Sequence, residues 1–168
     1  MDFIEQWFGI SPDGGDGSLE AHVAQFALLQ ELTEALSRLN AGVNRIRRLR
    51  RQLAALAQSV GESHADLSEE AKAAAASLAA IEGVLVDVAR ESPRDVLRHP
   101  AGLDDTLVDL INNVAVSDSA PTASSDAVAR EIMAKVAGEI AKLDALVERD
   151  VAAINRMAAE RKLAHVAG

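Results

Sequence analysis

Five arginines, Arg45, Arg47, Arg48, Arg50 and Arg51, crowd into seven positions of one segment. With Arg38 they make six arginines between positions 38 and 51, and no acid falls among them. A guanidinium is a fixed, planar fork of N–H donors that matches carboxylate and phosphate oxygens. Such a run can hold an acidic partner, a lipid surface or a nucleic acid. It can equally pair with acids on a neighbouring helix, and Glu131, Glu139, Asp144, Glu148 and Asp150 offer those. Charge runs are more often paired or solvated faces than binding sites.

The other chemistry-bearing residues form no constellation. Asp13, Asp16 and Glu20 lie around three glycines, but the oxygen-ligand spacing of a calcium loop fails. His22, His64, His99 and His165 are scattered, with no HxxxH or ExxH pair to hold a metal. There is no cysteine, which excludes disulfides, thiolate metal sites and a cysteine nucleophile. Serine, histidine and aspartate are present, yet nothing orients them as a triad. No cofactor and no enzymatic activity are expected. An enzyme with a site assembled across helices is the remotest reading.

These residues sit on a chain of 168 residues, enough for one core. Its apolar share is 49%, while its four aromatics, Phe3, Trp7, Phe8 and Phe26, all fall in the first 26 residues. The core must therefore be aliphatic, and Ala, Leu and charge together point to long helices. The net charge of -9 disfavours general nucleic-acid binding. No apolar run is long enough to span a membrane. The first ten residues lack the basic and long apolar regions of a signal peptide.

Periodicity places four helices. The first runs from about Leu19 to Val60, with Ser18 as its cap. Leu29, Leu32, Leu36, Leu39, Val43 and Ile46 keep 4-3 spacing, which Leu53 and Val60 continue. Leu28, Leu49 and Leu56 widen the stripe, and Gly42 on the same face permits a close neighbour. Leu36→Asp is expected to destabilise the domain severely. Gly61 ends this helix, and Ser63 or Asp66 caps a second that extends to about Arg90. A short third helix covers about Leu103 to Val116. The last runs from about Ser124 to Arg161, with its stripe at Ile132, Val136, Ile140, Leu143, Val147, Val151, Ile154 and Ala158. Strand signals are absent. The expected fold is all-α: a long antiparallel hairpin of the first and last helices, with the medium and short helices packed alongside. Asn44, Asn112, Asn113 and Asn155 are candidate buried polar residues that set register.

Three segments carry a resemblance. They are AQFALLQELTEALSRLNAGVNRIRRLRRQL (24–53), HPAGLDDTLVDLINNVAVSDSAPTASSDAVAREI (99–132) and LDALVERDVAAINRMAAERKL (143–163). In order and spacing they are similar to a helical domain of large bacterial proteins. In those proteins it follows a sortilin-like, BNR-repeat β-propeller of glycoside-hydrolase-like character. The resemblance covers residues from about 21 to 168 and implies an all-α accessory domain in a largely extracytoplasmic family. The chain contains no propeller, and the resemblance transfers no catalytic residue.

The chain thus divides into residues 1–20, an aromatic segment with a glycine-rich linker, and residues 21–168, a helical bundle. Its expected role is a non-catalytic interaction or assembly module that binds a protein partner or itself. Phe3, Trp7 and Phe8 offer an apolar docking element, for a protein groove or a peripheral membrane contact. In that variant the chain is a small subunit docking on a larger complex, such as a membrane-bound one. Folding back as an end cap is the competing role for the same aromatics. Arg45, Arg47, Arg48, Arg50 and Arg51 are the polar candidates.

Overall fold

Leucine, valine and isoleucine at helical spacing bury one stripe per helix, and the chain answers with three packed rods. The computed structural model describes residues 18–87, 102–117 and 120–167. Helix α1 spans Ser18–Val60 and is about 65 Å long at the standard rise per residue. Gly61, at a φ of 49°, breaks it in the left-handed region that favours glycine. A 3-10 turn at Gly61–His64 leads into α2, Ala65–Leu85. Helices α3, Leu103–Ala115, and α4, Ala123–Leu146, follow. A π-turn at Val147–Val151 joins α4 to α5, Ala152–Glu160. Among the described residues there is no strand. The all-α helical bundle expected from periodicity is what the structure has.

The direction of the rods differs from the expected pairing of the two longest helices. Gly42 lies against Ile140, Arg45 against Asp144, and Gln52 against Ala167. These numbers rise together, so α1 and α4 run parallel. The antiparallel neighbour of α1 is α2, where Ser68 Oγ donates to Ala57 O at 3.3 Å and Arg47 meets Glu82. Helix α3 extends that descent. It begins against the end of α2 and finishes where Gln25 Nε2 donates to Val114 O and Ser117 O, at 2.6 and 2.7 Å. The bundle is therefore up, down, up, with a middle rod made of two helices. In that connectivity the first and third rods must be parallel.

Local chemistry sets several boundaries. Helix α2 ends at Leu85 rather than near Arg90, because Val86 turns extended at φ -137° and ψ 145°. Gly83 and the following Val84 have weak helix propensity. A Cβ on Gly102 would lie 2.9 Å from Asp87 N and 3.0 Å from Val86 Cα, so only glycine lets α3 start there. Neither Ser63 nor Asp66 caps α2; its cap position is His64, which makes no side-chain cap bond. Helix α4 does have a cap, with Ser125 N donating to Thr122 Oγ1 at 3.1 Å.

The π-turn also has a reason in the stripe. From Leu143 to Val151 the apolar residues step by four and four again. Eight residues of ideal α-helix overshoot two turns by about 80°. The slacker winding of Val147–Val151 returns Val151 to the core face, where it is buried. At the C-terminus Asn155 clamps the returning chain, donating to Val166 O at 2.9 Å and accepting from Val166 N at 2.7 Å. Asn44, Asn112 and Asn113 are exposed, so of these four candidates Asn155 alone fixes a register.

Gly42 is a point of close approach of α1 and α4, since a Cβ there would collide with Ile140 Cδ1. Gly42→Leu is expected to push the rods apart and cost about 2 kcal/mol. Gly42→Ala should be close to neutral: the tip of Ile140 can move, and alanine gains about 1 kcal/mol of helix propensity. Thermal melts of the two variants check this; equal melting temperatures would mean that the approach is not tight.

Candidate interaction surfaces

The arginine run occupies the middle of α1, and helical spacing distributes it over three faces. Ile46, Leu49 and Leu53 point into the core and are fully buried. Arg45 falls on the side facing α4, where its Nη1 donates to Asp144 Oδ1 at 2.7 Å. Arg47 and Arg50 fall on the side facing α2. Arg48 and Arg51 are exposed, and neither has an ion pair or hydrogen bond among the described residues.

Glu82 of α2 is the centre of the arrangement. Its side chain is 2% exposed. Arg47 Nε donates to Glu82 Oε1 at 2.6 Å, and Arg50 Nη1 donates to Glu82 Oε2. One carboxylate thus engages two guanidinium groups, one per oxygen. The arginine side chains remain 49% and 41% exposed. A charge can sit this deep only because both oxygens are satisfied by opposite charge.

Sequence reasoning looked for these partners on the last helix and found one of them, Asp144. Glu131 pairs instead with Lys135, Glu139 with Lys142 and Asp150 with Arg149, each within four residues. The missed partner left a signal. Glu82 lies four residues after Leu78 and three before Leu85, on an otherwise apolar stripe. A lone acid on a buried face demands a cation opposite.

Next to this pair lies a depression of about 370 Å³, lined by Arg47, Arg50, Arg51, Ala54 and Ala75. A second groove, of about 400 Å³, runs between α1 and α4 over Met133, Val136 and Ile140, with Glu31, Glu34 and Arg38 at its edge.

The other surface is apolar. Leu19, Val23 and Phe26 lie at four- and three-residue spacing on α1, and all are well exposed, Phe26 at 69%. Their face is opposite the Leu28, Leu32 and Leu39 face that enters the core. Val116 and Val128 are exposed at the same end of the bundle, where α3 finishes and α4 begins. Phe3, Trp7 and Phe8, on the chain leading to this end, lie outside the described residues, as do Asp13, Asp16 and His99.

Surface ion pairs shift a few carboxylates. The hydrogen bond from Arg161 holds Asp66 below its ordinary value, and that from Arg149 does the same for Asp150. A depressed folded-state value stabilises above the unfolded value, and the stabilisation is lost as pH falls through the folded one. Both groups are close to solvent, so the effect is small. Among the described residues no three His, Cys, Asp or Glu side chains are grouped to hold a metal. Among the same residues no helix is long and apolar enough to cross a membrane. Comparison with protein-family models, with curated proteins and with solved structures finds no match.

Proposed function

We propose that this chain is a non-catalytic helical assembly module, which associates with a second copy of itself through the end of the bundle where α1 begins. The observation that carries the reading is the exposed stripe of Leu19, Val23 and Phe26, at the end of the bundle where Val116 and Val128 are also exposed. Monomer surfaces tolerate scattered apolar residues, but three large ones side by side on one helix face mark an interaction site. The stripe's four- and three-residue steps are those by which a helix packs against a like helix. Phe3, Trp7 and Phe8 precede it and add aromatic anchors of the kind that dominate interface energetics. An accessory role agrees with the propeller-associated helical domain that the sequence resembles.

Sedimentation equilibrium of the full chain tests the proposal. The wild type is expected to self-associate with rising concentration. Val23→Asp/Phe26→Asp should remain monomeric and melt like dilute, monomeric wild type, because both side chains are already exposed. Trp7→Ala/Phe8→Ala should weaken association roughly tenfold or more, as loss of an aromatic anchor does. A wild type that stays monomeric at every concentration overturns self-assembly and leaves docking on a different protein as the use of this end.

A further inference from the structure

We infer that the depression between α1 and α2 is a binding site for the phosphate group of a small, freely diffusing ligand. This goes beyond the assembly reading and stands on a different part of the molecule. The site is built from Arg47, Arg50 and Arg51 over a floor of Ala54 and Ala75.

Three observations lead to it. The first is charge. Positions 38–51 of α1 contain no acid, and neither do positions 71–81 of α2, which pack opposite. Glu82 is therefore the one carboxylate that the pocket arginines engage among the described residues. Three guanidinium groups against one carboxylate leave two positive charges, in a chain whose net charge is -9. A phosphate dianion balances that local excess.

The second is preorganisation. Glu82 takes one N–H from Arg47 and one from Arg50, and a guanidinium has several more to give. The buried carboxylate anchors both forks, and the two arginine side chains stay 49% and 41% exposed, so they keep donors within reach of a ligand. Ordering a long arginine side chain normally costs entropy at the moment of binding. Here the fold has already ordered two of the three.

The third is room. Bulky residues at positions 54 and 75 would fill the space between the helices. Alanine at both leaves about 370 Å³, which suits a phosphate group with part of the molecule that bears it. Arg51 also lines the depression, and it has no protein partner among the described residues. Guanidinium N–H forks match the oxygens of a phosphate, and three arginines line this one depression.

The experiment is a melt of the full chain in inorganic phosphate, against sodium chloride of equal ionic strength, with a parallel calorimetric titration. Matching ionic strength removes general screening. Phosphate is expected to raise the melting temperature above the chloride value in a saturable manner. Arg51→Ala should melt at the wild-type temperature in chloride, since Arg51 is exposed, and should bind phosphate roughly tenfold more weakly. Arg48→Ala, on the neighbouring face, should bind like wild type. Equal melts in phosphate and chloride overturn the proposal, and so does Arg51→Ala binding as well as wild type. Co-sedimentation with phosphatidic acid vesicles, without any response to free phosphate, would also overturn it in favour of a membrane surface.

Discussion

Arg47→Ala/Arg50→Ala is expected to destabilise the fold by about 3 kcal/mol, within the range for stranding one partner of a buried pair. The loss comes less from the attraction removed than from the carboxylate left behind. Glu82 is 2% exposed, and each of its oxygens has one partner, both of them arginines. Without them the carboxylate must draw in water or bind a proton, and either route costs free energy. Adding Glu82→Leu to the double variant should restore most of the loss, because a leucine there extends the Leu78, Ile81 and Leu85 stripe. Glu82→Ala alone should cost less, about 2 kcal/mol, because the half-exposed arginines can hydrate when their acceptor is gone. Urea unfolding of the four proteins measures the set. A double variant within about 1 kcal/mol of wild type would mean that Glu82 finds water easily and does not depend on the arginines.

Leu39→Ala is expected to cost about 3 kcal/mol, and Leu36→Ala only about 1 kcal/mol. In the sequence the two are equal members of one 4-3 stripe, and Leu36→Asp reads as severely destabilising. The structure separates them. Leu39 is fully buried, as are Leu32 and Ile46, whereas Leu36 and Leu29 pack against the core from its half-buried edge. A truncation at the centre leaves a cavity that rigid neighbours cannot fill, while one at the edge is repaired by water and small shifts. The aspartate variants should follow the same order, with Leu39→Asp failing to fold and Leu36→Asp folding with reduced stability. Thermal unfolding of the alanine pair is the direct comparison. Equal losses would show that the edge is as closed as the centre.

The helices themselves were legible because their signals are local. Breakers at Gly61 and Pro121 and aliphatic spacing in between place α1 and the α4–α5 rod to within a residue or two of where they lie. The end of α2 was not legible, since the Ala-rich run gives no stop signal as strong as the contact between Gly102 and Val86. The π-turn at Val147–Val151 also depends on the neighbour that the stripe must face.

The arginine run shows the same division within a single feature. Its place on α1 and its lack of internal acids follow from the sequence alone. Its partners do not. Arg45 takes Asp144 on α4, Arg47 and Arg50 take Glu82 on α2, and Arg48 and Arg51 are left exposed. Only the rotation of α1 within the bundle decides which arginine meets which helix.

What the sequence determined by itself is which face of each helix is apolar, and so that the chain forms an aliphatic, all-α bundle. What the tertiary structure decided is which helix each face meets and in which direction. Burial of an apolar stripe is non-directional, so it favours an antiparallel partner for α1 no more than a parallel one. Connectivity made the choice. With α2 and α3 descending one after the other beside α1, the last rod had to rise, parallel to the first, and that arrangement set Glu82 beneath Arg47 and Arg50.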